Sequence, residues 1–134
     1  MTGVIRFGGA ILLALAATAA APPRALAPAA GGLWDVSRTA DGHNGQRICV
    51  TSPEVLAQFE HRNQRCTRVV VSDAGTSAVI HYTCPAGGFG NSKVTLVTPR
   101  SLKIDTQGIS AGLPFHYQLY ARRVGDCGTP LAKL

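Results

Sequence analysis

The 134-residue chain has no Cys-x-x-C pair, and it has no cysteine at all before Cys49. The first absence removes the dithiol of a thiol–disulfide oxidoreductase and the close ligand pairs typical of a structural zinc site. Two histidines do precede cysteines, His61 before Cys66 and His81 before Cys84, but no second pair completes a ligand set. The second absence leaves nothing to lipidate behind an N-terminal apolar run, so a lipoprotein is not expected. Only seven residues are acidic, and they are scattered, with no pair placed like the two carboxylates of a glycosidase. No phosphate-loop spacing occurs either: Gly87-Gly88-Phe89-Gly90-Asn91-Ser92-Lys93 is glycine-rich, but strand-like sequence follows it rather than a helix start. Neither a cofactor nor a metal is expected, and the chain has no internal repeat.

What the chain does have begins at its N-terminus. Met1 to Arg6 carries one positive side chain, and Phe7 to Ala21 is uninterruptedly apolar or small before Pro22-Pro23 ends the run. At about 15 residues the run matches a signal-peptide core and falls short of a membrane span. Residues 1–21 are therefore expected to be a signal peptide, cut after Ala19 or as late as Ala27, with no stable membrane span afterwards. Residues 22–30, rich in Pro and Ala, read as a flexible lead-in, and 31–134 as a single domain.

That domain holds all four cysteines, Cys49, Cys66, Cys84 and Cys127. An even count in a small exported domain implies two disulfides. Three pairings are open, of which Cys49–Cys66 with Cys84–Cys127 is preferred, because it would staple a helix to its flanking strands and tie a mid-chain strand to the C-terminus. Loop-closure entropy assigns roughly 3 kcal/mol to the shorter of those loops and about 4 kcal/mol to the longer.

Apolar–polar alternation in Trp34-Asp35-Val36-Ser37 predicts a half-buried strand, with Asn44-Gly45 as a tight-turn signal and 46–50 as the return strand. Ser52-Pro53-Glu54 predicts a helix start with Ser52 as N-cap; Val55, Leu56 and Phe59 supply its apolar face, and it ends near His61. From Cys66 onward the pattern is β: 68–72, 78–84, 93–98, 102–107 and 115–122, separated by turns at Asp73-Ala74-Gly75, a loop over 85–91, Thr98-Pro99 and Ser110-Ala111-Gly112. The expected fold is mainly β with one short helix: a curved antiparallel or barrel-like sheet of about six to seven strands, stapled by disulfides.

Several motifs invite a chemical reading. Gly108-Ile109-Ser110-Ala111-Gly112 has the spacing of a nucleophile elbow, yet that elbow needs a helix behind the serine and a strand follows here, so its glycines read as turn residues and no catalytic residue is assigned. His81 and His116 fall on strand faces opposite the apolar sets, where a pair could face a shallow groove. The basic cluster from His61 to Arg68 reads as a solvated loop, and export argues against a nucleic-acid partner.

Gly32-Leu33-Trp34-Asp35-Val36, the cysteine layout, Tyr82-Thr83-Cys84 with the glycine-rich loop behind it, and the stretch from Leu113 to Cys127 together resemble domain-of-unknown-function family 3617, exported proteobacterial proteins with a GLWE-type opening. The chain departs from that opening at Asp35, where glutamate is usual and the charge is kept. The resemblance implies a soluble periplasmic protein and no activity. The resulting expectation is a non-enzymatic domain that supports the envelope or binds a periplasmic protein or an amphipathic ligand. A protein-inhibitor module of the lysozyme-inhibitor type and a small hydrolase are the alternatives.

Overall fold

In the computed structural model, residues 22–128 are described, together with the isolated glycines 3, 8 and 9, so the expected signal peptide lies, but for those three glycines, outside the described residues. Period-two alternation resolves into seven strands: β1 Gly32–Ser37, β2 Gln46–Val50, β3 Thr67–Ala74, β4 Ser77–Thr83, β5 Phe89–Thr98, β6 Ser101–Ser110 and β7 Leu113–Gly125. They form one antiparallel sheet in the order β2-β1-β7-β6-β5-β4-β3, curved but not closed, with β2 and β3 as its edges. β5 starts earlier than its valine-rich core suggests: Phe89, Gly90 and Asn91, read as loop, already pair with β4 and β6. Between β1 and β2 the Asn44-Gly45 signal sits inside a longer connection, which Ser37, Thr39 and Asp41 tie together through hydrogen bonds to His43.

One face of the sheet is dry. Trp34, Val36, Ile80, Val94, Ile104 and Leu119 point to it and are almost wholly buried. A kinked 3-10 helix, Pro53–His61, lies across them and buries Leu56 and Ala57. In a three-residue turn positions i and i+3 eclipse, so Leu56 and Phe59 fall on one row and Val55, Gln58 and His61 on the next. The helix starts where expected, but the Ser52 hydroxyl caps nothing: the Ser52 carbonyl takes the Val55 N–H at 3.2 Å, and Pro53 has no N–H to offer.

Within residues 22–30, expected as a lead-in, the chain is anchored at one point. Arg24–Leu26 forms a single 3-10 turn that buries Ala25 and Leu26 against the sheet. The Asp73 carboxylate accepts the N–H groups of Arg24 and Ala25 at 2.7 and 2.9 Å, and those two bonds hold its pKa below the ordinary carboxylate value.

The disulfides are Cys49–Cys127 and Cys66–Cys84, not the preferred pairing. Topology gives the reason. Thr67 faces Thr83 across the β3–β4 hairpin, so the residues just outside, Cys66 and Cys84, are neighbours. Leu33 of β1 lies between Cys49 of β2 and Gly125 of β7, which brings the end of β7 back beside β2. Cys49–Cys127 closes a separation of 78 residues, for which loop-closure entropy gives roughly 4.5 kcal/mol.

Candidate functional site

The outer face of the sheet is ordered in transverse rows. His81, Asn91, Gln107 and His116 are successive register partners on β4, β5, β6 and β7. Beside them run Thr83, Phe89, Ile109 and Pro114 in the same way. An imidazole–amide ladder therefore borders an apolar shelf of Phe89, Ile109 and Pro114, and together they line an open groove of about 670 Å³. Phe89 remains 52 % exposed in it. The two histidines do share this face, as their strand positions predict, but two strands separate them. At the usual strand spacing that is roughly 14 Å, too far for one proton to pass between them. His116 instead meets the exposed Asp105 carboxylate at 2.9 Å.

On the inner face at the same end, Gly90 and Gly108 stand opposite each other. A Cβ at Gly90 would come 2.4 Å from the Tyr82 ring, and one at Gly108 within 2.0 Å of the Phe89 carbonyl oxygen. Gly108 is thus a close-approach residue within β6 and not a turn residue; Ala111 and Gly112, both at positive φ, make the two-residue turn. Tyr82 and Phe115 flank the glycine pair, an arrangement in which aromatic rings cover bare backbone.

His61, read as a surface helix end, is buried here at 5 % exposure. Its Nδ1 lies 2.9 Å from the Tyr82 hydroxyl, and its ring packs edge-on to Tyr82 and tilted against Phe115. The Ser92 hydroxyl bonds Thr106 at 2.7 Å and the Ala57 carbonyl of the helix at 2.5 Å, and Thr106 works against burial by lowering the Tyr82 pKa. Burial, and after it the charge of Glu60, pushes the Tyr82 pKa up to about 12. Glu60 accepts the Tyr117 hydroxyl at 2.5 Å, and the Arg38 guanidinium stacks 3.5 Å from the Tyr117 ring centre. Burial, reinforced by that carboxylate, raises the Tyr117 pKa as well.

This cluster borders a second pocket of about 430 Å³, walled by Glu60, His61 and Gln64 on one side and by Gly87-Gly88 and the Ser110–Gly112 turn on the other. Ser110 therefore reaches the pocket that His61 borders, although no helix follows it. His43 lines neither cavity. The basic cluster is partly structural: Arg68 donates to Gln58 at 2.6 Å, and Arg62 stacks on Phe59. The sequence signal that could have revealed His61 is the three-residue spacing Val55–Gln58–His61, which a 3.6-residue helical reading does not place on one row.

All four cysteines are oxidised, so a zinc set built on Cys66 or Cys84 would lack its thiolates. Among the described residues no helix is long and apolar enough to cross a membrane. No curated protein matches the chain, and no solved structure matches it. A family profile described as a protein of unknown function, DUF3617, does match, over residues 26–127, from the buried Leu26 to the bridged Cys127. The match spans the inner core, both disulfides and every wall of the two pockets, and by it the chain belongs to family DUF3617.

Proposed function

We propose that the protein is exported to the periplasm, loses its leader there, and serves as a non-enzymatic binding domain whose outer groove takes an amphipathic ligand. The observation that carries this reading is the pairing, in one groove, of an exposed apolar shelf (Phe89, Ile109, Pro114) with a row of hydrogen-bonding side chains (His81, Asn91, Gln107, His116). Such a surface offers area to an apolar body and directional partners to a polar edge. The two disulfides support an oxidising compartment. The burial of Leu26 and the anchoring of Arg24 and Ala25 by Asp73 favour a cut after Ala19, since a cut after Ala27 would take Leu26 out of the core.

The test is a fluorescence titration with an amphipathic naphthalene sulfonate dye. Phe89→Ala should weaken binding roughly tenfold, the worth of one well-packed apolar contact. Val97→Ala, at a residue 64 % exposed outside the groove, should leave it unchanged. Equal affinities for both variants would sink the groove as the binding surface.

One observation favours a protein partner as a second reading. Edge strand β3 exposes Val69 and Val71, at 56 % and 55 %, and has an unpaired side. If the chain is an inhibitor module acting through that edge, adding it should lower lysozyme turnover; under the groove reading turnover is unchanged.

A further inference from the structure

We infer that the outer groove selects an amphiphile whose head is an anion. The inference rests on the groove reading above and adds the charge of the ligand. It starts from the rows of the outer face. Next to the ladder, on the side away from the apolar shelf, Val79, Lys93, Asp105 and Gln118 are register partners across β4 to β7. The row after that sets Thr95, Lys103 and Tyr120 side by side. Along the strands the face therefore passes from carbon, through amides and imidazoles, to charge.

The sign of that charge is positive. Asp105 is the only acid that the register places on the outward positions of β4 to β7. It faces Lys93 across the β5–β6 ladder, yet both of its oxygens turn to β7: His116 Nε2 lies 2.9 Å from Oδ1, and Gln118 Nε2 donates to Oδ2 at 3.3 Å. Lys93 and Lys103 are exposed, and neither enters the two ion pairs found among the described residues. With Thr95 and Asp105 they line a small cleft of about 140 Å³. Two ammonium groups against one carboxylate leave the cleft cationic. From Phe89 to Lys93 is four residues of strand, about 13 Å, which a medium-length alkyl chain spans. The flexible lysine stems carry their charges back toward the ladder. An anionic head there meets Lys93 and Lys103 and accepts from the Asn91 and Gln107 amides, while its chain lies on the shelf. A cationic head at the same place would meet like charge. The ligand class is therefore an alkyl carboxylate, sulfonate or phosphate, as a fatty acid or an alkyl phosphate presents it.

The experiment is a nuclear magnetic resonance titration of the folded, oxidised chain, followed at the Asn91 and Gln107 side-chain amides. Three ligands share one alkyl chain and differ in the head: decanesulfonate, decyl glucoside and decyltrimethylammonium. Each is kept below its micellar concentration, so that the protein meets single molecules and not a surface. Saturable shifts are expected, with decanesulfonate bound most tightly and decyltrimethylammonium least. Replacing both lysines, Lys93→Gln with Lys103→Gln, should weaken decanesulfonate roughly fivefold, the worth of two exposed charge pairs. The same variant should bind decyl glucoside as the unaltered chain does. Both lysines are exposed, so the variant keeps the fold. If decyl glucoside or decyltrimethylammonium binds as tightly as decanesulfonate, or if the double variant holds decanesulfonate like the unaltered chain, the anionic head is overturned and the groove stands. If none of the three gives a saturable shift, the groove reading falls and this inference falls with it.

Discussion

The buried face of the sheet is made of two different materials. At one end Trp34, Val36, Leu102, Ile104, Leu119 and Ala121 meet the helix and each other through carbon alone. At the other end, on the same strands β4 to β7, the inward positions are Tyr82, Ser92, Thr106 and Tyr117, with His61 and Glu60 coming down from the helix. The apolar end contributes stability in proportion to area and is indifferent to direction. The polar end contributes only while each donor keeps its acceptor. Apolar residues of similar size at Ser92 and Thr106 would pack at least as well, so stability alone does not account for the polar set. Its place is beside one pocket and behind the exposed groove in which the proposed ligand would lie.

The contrast can be broken most forcefully at its apolar end. Trp34→Ala should cost about 3–5 kcal/mol in denaturant unfolding, because Trp34 is fully buried at the centre of the core. A loss under about 1 kcal/mol would mean that the apolar end does not dominate. At the polar end Ser92→Ala removes the hydroxyl that bonds both Thr106 and the Ala57 carbonyl, for an expected loss of about 1–3 kcal/mol. A neutral or stabilising result would mean that the Ser92 hydroxyl bonds contribute nothing to the fold.

Much of this division is legible in the sequence and some is not. The 3-10 helix and β2 follow from Ser52-Pro53 and from simple alternation, and β6 and β7 from Leu102, Ile104, Phe115, Tyr117 and Leu119 on common faces. The disulfide pairing was accessible too, since a hairpin turning at Gly75 sets Thr67 against Thr83 and so Cys66 against Cys84. The start of β5 was not, because Gly88 and Gly90 look like loop until Tyr82 is seen lying over Gly90. Leu26 looked like linker because its partners lie on β4 and β5, far along the chain. His61 was hidden for the same reason: its partner Tyr82 lies 21 residues away, on another element.

A finer test uses alkali. Tyr82 keeps its proton in the folded chain to about pH 12, while the unfolded chain gives it up near pH 10.0. Below the lower value both states are protonated and the native advantage is complete. Between the two the unfolded state alone releases a proton, so stability should fall as pH rises through that window. Denaturant midpoints measured across it should drop, and Tyr82→Phe should flatten the drop, with Tyr117 leaving a residue of the same sign. A midpoint independent of alkaline pH would mean that the polar end is open to water. The smallest effect belongs outside the core: His116→Ala, which breaks an exposed pair with Asp105, should change stability by less than roughly 0.5 kcal/mol.

The most direct measurement is a native mass spectrum of the protein taken from its native cells, compared with the same sample denatured. A bound mass that denaturation releases, and that is lost in Phe89→Ala, is the expected result. A bare chain carrying two disulfides, identical in the unaltered protein and in Phe89→Ala, would contradict the reading of this domain as a ligand carrier.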